Sequence, residues 1–215
     1  MCHSIAMLAD VNDIMKQFRI DRLLSYSSNR YEVKPTESVS AVMMNKKGER
    51  LLDEFRWGLM PFWAKDAVCG ERDSIFSNHV FERIVRKQRC IIPCSSFYVS
   101  VTEGKETQWT RFKMRSGTFG IAGLYDVWQA PSGQEEMRTC MMLMTDANSV
   151  VSPYHRHMPA ILDQDQAEMW LAPEQRDSRL LRSLLRPVDD LLMVANVLSS
   201  PEEKLDTGSD LSVFA

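Results

Sequence analysis

Apolar and polar positions along this chain follow two periods, one typical of helices and one typical of strands. In ADVNDIMKQFRIDRLL, Val11, Ile14 and Phe18 recur every three to four residues after Asp10, a residue type that commonly caps helices. This spacing predicts an amphipathic helix. Further short helices are predicted in HVFERIVRKQR, DQAEMWLA and SRLLRSLL.

Strand-like segments occupy most of the middle of the chain. SVSAVMM and RLLDEFRW are joined by NKKG, which predicts a β-hairpin. CIIPCSSFYVSV, WTRFKMR, TFGIAGLYDVW and TCMMLMT are rich in strand-forming residues, and Gly, Ser and charged turns separate them. LLMVANVL predicts one late strand. The chain therefore combines many strands with a few helices.

This order of elements predicts a single α+β domain, with flanking helices around a curved, barrel-like antiparallel sheet. No linker and no repeat divides the sequence, so we place the domain at residues 1–198. Residues 199–215 are polar and predict a loose C-terminal tail.

Composition limits the class of protein. The 215 residues carry a net charge of −3, so overall charge does not indicate a nucleic-acid-binding protein. There is no run of about 18 apolar residues and no charged leader before an apolar stretch, so we expect a cytoplasmic protein without a membrane span. Five cysteines at irregular spacing argue against a disulfide framework.

A local basic run, ERIVRKQRC, stands out from this nearly neutral background. On a helix, Arg83, Arg86 and Lys87 would share one face, because residues three and four apart are neighbours. Two interpretations stay open. The face is either an ordinary solvated surface or a patch that contacts phosphates.

The second residue, Cys2, offers unusual chemistry if the initiator methionine is removed. It would then carry a free amine, with a reference pKa of about 7.7–8.0, beside a thiol with one of about 8.5. Such an aminothiol captures an aldehyde as an imine, and the thiolate closes a thiazolidine ring. Alternatively, the amine can act as the base for its own thiol. A cysteine at this position can also be accidental.

Two histidines and an aromatic stretch are further candidates. In SPYHRHMP, His155 and His157 would point to opposite faces of an extended chain, so one of them is expected to face a site. A histidine there is either a proton shuttle or a hydrogen-bonded structural residue. The stretch FRWGLMPFWAKD, with Trp57 and Trp63, suits either stacking of unpaired bases or core packing.

Cys90 and Cys94 have a spacing that occurs in zinc sites. However, they flank IIP in a predicted strand, and no second pair of ligands has a matching spacing. We therefore predict that both thiols are buried and inert, and that the protein holds no metal. No cofactor motif is evident either.

Several motifs occur together in one order: MC, RWGLMPFWAKD, QRCIIPCSSFY, GIAGLYDVW and HRHMPAIL. This series resembles the SRAP family, the SOS response-associated peptidases or abasic-site processing proteins. The resemblance implies the SRAP fold and removal of Met1. It implies that Cys2 crosslinks to abasic sites in single-stranded DNA through a thiazolidine, with autopeptidase or lyase activity as a further possibility. It also implies that His155 moves protons, and that Pro35 and Trp63 lie near the DNA.

The sequence departs from the family pattern at several positions. Val99 stands where the family has its catalytic glutamate, and His157 replaces an arginine. Asn78 is our candidate for the family's asparagine, in a segment that is shortened. Because Val99 lies in a predicted strand, we expect Val99→Glu to speed crosslinking, provided that this position opens onto the DNA cleft.

Two functions are thus compatible with the sequence. The first, which retention of Cys2 and His155 favours, is an active crosslinking enzyme. The second is a degenerate paralogue that binds DNA weakly without turnover, and a cysteine protease acting on other proteins comes third. We expect Cys2 and His155 to lie close together, and we predict no membrane and no obligate protein partner. The predicted site residues are Cys2, His155 and Asn78 for catalysis and Pro35, Trp63, Arg83, Arg86 and His157 for binding single-stranded DNA.

Overall fold

The computed structural model describes residues 4–60, 67–129, 136–200 and 203, and within them the chain forms strands and short helices. The helices are α1 (Val11–Gln17), α2 (Arg72–Ser77), α3 (His79–Lys87), α4 (Gln164–Leu171) and α5 (Ser178–Leu184), with a 3₁₀ turn at Asp190–Leu192. The strands are β1 (Ser4–Met7), β2 (Arg22–Leu23), β3 (Arg30–Val33), β4 (Ser38–Met44), β5 (Arg50–Trp57), β6 (Cys69–Glu71), β7 (Arg89–Cys94), β8 (Ser96–Glu103), β9 (Glu106–Met114), β10 (Phe119–Gln129), β11 (Glu136–Asp146), β12 (His157–Pro159), β13 (Ile161–Leu162) and β14 (Met193–Leu198).

Five of these strands close into a barrel. β4 pairs with β5 and β7, β7 pairs with β10, and β10 pairs with β11, all in antiparallel register. A parallel pairing of Thr139 and Cys140 with Arg56 and Trp57 joins β11 back to β5 and completes the ring. Closure leaves none of these five strands as a sheet edge along its whole length. The predicted α+β domain with a barrel-like sheet is confirmed.

The alternation of side chains along each strand decides what fills the barrel. On β7, Cys90 and Cys94 join the apolar cluster inside the barrel, which we call the interior cluster. Ile91, between them, joins a second cluster on the outer face. The helices cover that face and contribute Ile14 of α1 and Trp170 of α4 to it. The period of two thus separates the barrel interior from the helix layer.

A second antiparallel sheet, with the strand order β14-β9-β8-β1-β3, packs against the interior cluster. Ile5 of β1, Phe97 of β8 and Phe112 of β9 belong to that cluster, and the rings of Phe97 and Phe112 stack with centroids 5.0 Å apart. β1 is an inner strand of this sheet, between β8 and β3. The second sheet therefore holds the N-terminal strand firmly in place.

Local signals in the sequence account for several elements. Asp10 caps α1 as predicted, and Asp163 forms a capping box with Gln166 at the start of α4. In the predicted hairpin between β4 and β5, Asn45 accepts two backbone N–H groups through its side chain, and Gly48 takes a φ of 81°. These predictions are confirmed.

The first helix is shorter than predicted. α1 ends before Phe18, and Arg19 takes a left-handed φ of 50°, which interrupts the helix. The residues beyond it form β2 and pair with β5, and the backbone N–H of Leu24 donates to the carbonyl of Leu52. Pairing of this segment with β5 thus outweighs the helical pattern of its sequence. No helix in the described ranges is long and apolar enough to cross a membrane.

Candidate functional site

Residues 154–157, which we call the histidine loop, lie on the same side of the barrel wall as the second sheet. The ring of Tyr154 meets the ring of Phe112 edge-on, with centroids 5.4 Å apart. Phe112 stacks on Phe97, and Phe97 is the cross-strand partner of Ile5 in β1. Two aromatic contacts therefore connect the histidine loop to the first strand of the protein.

His155 has a hydrogen-bond partner for each of its protonation states. Its Nδ1 lies 3.0 Å from the backbone nitrogen of His157 and 2.9 Å from the carbonyl oxygen of the same residue. A neutral ring with its proton on Nε2 accepts from the N–H, whereas a ring protonated on Nδ1 donates to the carbonyl. Burial is the main cause that lowers the pKa of His155, against the opposing effect of this carbonyl. The ring is therefore suited to both taking and giving a proton.

The two histidines lie together rather than on opposite faces. Only His157 belongs to a strand, and His155 precedes it in a turn, so the expected alternation does not apply. Their ring centroids are 6.0 Å apart. Nδ1 of His157 lies 3.4 Å from Oε1 of Glu71, and the same oxygen accepts from Arg156 at 3.3 Å. The loop thus ends against a carboxylate.

A small polar cavity of about 40 Å³ adjoins His157. Arg72 forms ion pairs with Asp73 at 2.7 Å and with Asp146 at 3.1 Å, and Arg182 reaches Asp73 at 3.0 Å. These ion pairs line the cavity and connect α2 to β11 and to α5 beside the histidine loop. The lining residues are Glu71, Arg72, Asp73, Met144, Thr145, Asp146 and His157.

The three residues of β6 explain how Glu71 comes to this position. A Cβ on Gly70 would lie 2.4 Å from Cε of Met141 and 2.7 Å from Cγ1 of Ile75. Only glycine therefore fits at position 70, where the strand packs against the outer-face cluster. Cys69 and Glu71, on either side of it, point the other way, and Cys69 packs against the interior cluster. Burial raises the pKa of the Cys69 thiol to about 12, so this thiol stays protonated at neutral pH. Neither Cys69 nor Glu71 is among the site residues predicted from the sequence.

Asn78 lies at the N-terminus of α3. Its side-chain oxygen accepts the backbone N–H of Val80 at 3.0 Å and so caps the helix, and the residue is exposed. The amide oxygen thus has a structural role in this position.

The two arginines of the basic run are exposed on α3. Arg86 forms an ion pair with Glu82 at 2.7 Å, one turn earlier, and Arg83 lies beside it. α3 packs on the outer face of the barrel through Val85, whereas Tyr154 of the histidine loop packs on the interior cluster. The barrel wall therefore separates these arginines from the face on which Tyr154 packs.

Arg89, from the same basic run, is buried. Its guanidinium donates to the carbonyls of Trp170, Val85 and Ala172 at 2.5, 2.7 and 2.6 Å and lies 5.8 Å from the Trp170 ring centroid. Burial lowers the pKa of Arg89 to about 10. This arginine joins the ends of α3 and α4 and does not reach the surface to meet a phosphate.

Of the remaining predicted site residues, Pro35 is described by the structure, whereas Cys2 and Trp63 are not. Pro35 is half-buried in the turn between β3 and β4, where Thr36 has a φ of 78° and donates its N–H to the carbonyl of Trp57 at 2.7 Å. Trp57 itself is fully buried, so this part of the aromatic stretch packs in the core. Cys2 and Trp63 lie outside the described residues.

Val99 on β8 belongs to the interior cluster, and only 2% of its surface is exposed. Its cross-strand neighbour is Thr110, also buried. The position therefore meets apolar side chains and offers no carboxylate. The condition attached to Val99→Glu, that the position opens onto a cleft, is not met among the described residues.

Cys90 and Cys94 are buried, as predicted. Their exposed surface is 0% and 1%, and burial raises the pKa of both thiols well above its ordinary value. Cys94 donates its S–H to the carbonyl of Ser96 at 2.9 Å. Throughout the described ranges, no group of three or more His, Cys, Asp or Glu side chains is placed to hold a metal ion.

Comparisons with known proteins agree with this architecture. The family described as SOS response associated peptidase (SRAP) matches residues 1–200. The abasic site processing protein YoqW of Bacillus subtilis (strain 168) is 31% identical over 94% of this chain and 96% of its own. YoaM, which carries the same description and comes from the same organism, is 32% identical over 94% of each chain. A crystal structure of a protein from Bacteroides thetaiotaomicron shares the fold, with a TM-score of 0.83, 24% identity and coverage of 96% of this chain and 97% of that one. The chain belongs to the SOS response associated peptidase family.

Proposed function

We propose that this protein processes abasic sites in single-stranded DNA by forming a covalent thiazolidine crosslink through Cys2. The observation that carries the proposal is the histidine loop, in which Nδ1 of His155 has a partner for each protonation state. Relatives that match 94% of this chain are named abasic site processing proteins, and this supports the same class of substrate here.

The position of the first strand supports a shared site. Cys2 precedes Ser4 by two residues, and two residues of chain span at most about 7 Å. Ser4 begins β1 with no exposed surface and pairs with Tyr98 of β8. β1 is also the strand to which the aromatic contacts lead from the histidine loop. The covalent chain therefore keeps Cys2 within about 7 Å of the start of β1.

The chemistry balances without a further reactant. The amine of Cys2 attacks the aldehyde carbon of the opened abasic sugar and gives a carbinolamine, which loses water to form an imine. This imine is still protonated on nitrogen, and the thiolate then adds to its carbon and closes the five-membered ring as a neutral thiazolidine, with no further proton needed. In this scheme His155 supplies the proton that lets hydroxide leave as water, and it recovers a proton from the thiol.

Val99 supports crosslinking as the main activity, ahead of peptide hydrolysis or strand cleavage. Ring closure needs only the aminothiol and an aldehyde, whereas the hydrolytic reactions need additional proton transfers. The apolar surroundings of Val99 supply no such group. A second candidate function, weak DNA binding without turnover, rests on this same observation.

One experiment separates the two functions. The purified protein is incubated with a labelled single-stranded oligonucleotide that contains one abasic site, and the products are resolved on a denaturing gel. Intact mass spectrometry reports removal of Met1 and the mass of the adduct, which should equal protein plus DNA minus one water. Intact single-stranded DNA and an abasic duplex serve as controls.

Two cysteine variants identify the nucleophile. Cys2→Ala should abolish the adduct, whereas Cys94→Ala, which removes a buried thiol, should retain it. Adduct formation by Cys2→Ala would overturn the assignment of the nucleophile. A wild-type protein that loses Met1 and yields no adduct would establish the non-catalytic alternative.

A further inference from the structure

We propose that Glu71 is a positioning residue of this site. Its carboxylate holds the histidine loop so that the main chain of His157 stays within hydrogen-bond distance of Nδ1 of His155. The role given to His155 rests on the proposed function. The geometric part of the inference concerns the free protein and is tested without DNA.

The carboxylate of Glu71 meets two consecutive side chains of the loop. Its Oε1 lies 3.4 Å from Nδ1 of His157 and 3.3 Å from a guanidinium nitrogen of Arg156. Arg156 is 80% exposed and His157 only 18%. One carboxylate therefore bridges a solvent-exposed cation and a mostly buried imidazole, and it restrains both residues that follow His155.

The backbone around Glu71 is rigid enough for this role. Glu71 pairs with Met144 of β11, and the same strand pairs with β12 through Asp146 and His157. β11 thus carries both the carboxylate and the end of the loop. Gly70, directly before Glu71, packs closely against the outer face of the barrel, because any side chain at position 70 would clash. The two partners are held in register by the sheet and not by a flexible connection.

The direction of the Glu71 side chain is a second, independent observation. Glu71 occupies the N-cap position of α2, where the shorter Asp, Asn, Ser and Thr are the side chains that commonly accept a backbone N–H of the first turn. It makes no such capping bond, and its Oε1 faces Arg156 and His157. Its other oxygen, Oε2, accepts from the hydroxyl of Ser74 at 3.5 Å, so the two carboxylate oxygens connect the start of α2 to the histidine loop.

The restraint reaches His155 through the peptide groups of His157. The N–H and the carbonyl of that residue both lie within 3.0 Å of Nδ1 of His155. If His157 moves, both partners are lost together, and the direction of Nε2 is no longer fixed. Misplaced proton-transfer groups slow catalysis even when they are chemically intact.

Electrostatics alone predict the opposite result, which makes the proposal testable. Glu71 carries a negative charge, and removing it should by itself favour the approach of a phosphate backbone. If Glu71 matters only as a charge, its loss leaves adduct formation unchanged or faster. If it positions the loop, adduct formation slows while DNA binding is equal or tighter.

The experiment compares Glu71→Ala and Glu71→Gln with Asp73→Asn. Asp73 lies two residues further on and pairs with Arg72 and Arg182, so its variant makes the same change of charge without a histidine contact. Imidazole ¹⁵N spectra of the free protein report the proton positions of His155, and His155→Gln assigns its signals. Single-turnover adduct formation and binding of intact single-stranded DNA complete the set.

We expect Glu71→Ala to average the two nitrogen signals of His155 and to slow adduct formation about tenfold, with Glu71→Gln in between. Asp73→Asn should leave the spectrum and the rate within about twofold of wild type. An unchanged His155 spectrum in Glu71→Ala would overturn the proposal. If the wild type forms no adduct, the proposed function fails, and the spectra alone decide on Glu71.

Discussion

The barrel interior and the histidine loop both lie along β11, yet their titratable side chains differ in burial and in hydrogen-bond partners. Inside the barrel, Cys90 and Cys140 have no exposed surface, and burial raises the pKa of both thiols well above its ordinary value. At the loop, His155 and His157 are half-buried and meet main-chain groups and a carboxylate. The difference teaches that burial keeps the interior thiols protonated and out of contact with solvent, whereas the half-buried imidazoles keep partners with which they can exchange a proton.

β11 shows the change along a single strand. Cys140 and Met142 point into the interior cluster, and Met144 follows them at the edge of the cavity beside His157. Asp146, two residues later, is exposed and lies opposite His157 of β12. Within six residues β11 thus passes from the apolar interior cluster to exposed charged residues, which we call the rim. The candidate site lies at this transition.

The largest expected effect comes from placing a charge in the interior. Val99→Glu should lower the free energy of unfolding by about 3 kcal/mol or more, because the carboxylate is either desolvated or forced to take up a proton. Urea denaturation of wild type, Val99→Glu and the neutral control Val99→Gln measures this. The glutamate should cost more at pH 8 than at pH 5. Wild-type stability in Val99→Glu at pH 8 would show that the position opens to water, and the contrast between core and rim would fail there.

The rim should behave in the reverse manner. His155→Gln keeps a side-chain oxygen for the N–H of His157 but removes the group that exchanges a proton. We expect adduct formation to slow by about 10²–10⁴, with a change in the free energy of unfolding of about 1 kcal/mol or less. Single-turnover gels and urea denaturation measure the two quantities. His79→Gln, at the exposed start of α3, is the matched control and should match wild type in both.

The sequence predicted the elements whose pattern is local. α3 occupies HVFERIVRK within the predicted HVFERIVRKQR, because Ile84 and Val85 form its buried side and Asn78 caps it. The β4–β5 hairpin follows from alternation and from the turn around Gly48. Such elements need only neighbouring residues, so the printed sequence contains the information.

The elements that build the candidate site were harder to predict. β6 is only three residues long, which is too short for a period to show, and its pairing with β11 joins positions about 73 apart in the sequence. The contact of Glu71 with His157 depends on that pairing. The closure of the barrel by β5 and β11 is equally non-local. Gly70 was the one available signal, since glycine in a strand often marks close packing.

The basic helix gives a smaller effect that tests how far the site extends. Arg83 and Arg86 lie on α3, which packs on the outer face of the barrel. Arg83→Gln combined with Arg86→Gln should therefore weaken binding of single-stranded DNA less than about threefold. The salt dependence of binding should hardly change, because few phosphate contacts are lost. A tenfold loss, with a salt slope reduced by about one to two, would place α3 on the path of the DNA.

The smallest expected effect is a pH dependence of stability that reports on His155. Burial lowers its pKa in the folded protein below the ordinary value of 6.5, so the unfolded chain binds a proton more readily. Its contribution to stability is therefore fully present above pH 6.5 and is lost as pH falls through the lowered folded-state pKa. The difference in free energy of unfolding between wild type and His155→Gln should be level from pH 8 to about 6.5 and should then decline toward pH 5. The other titrating groups are common to both proteins and cancel in this difference. A difference that grows as the solution is acidified would mean that the folded protein favours the charged imidazole. The charged groups around the loop, and not burial, would then determine the pKa of His155.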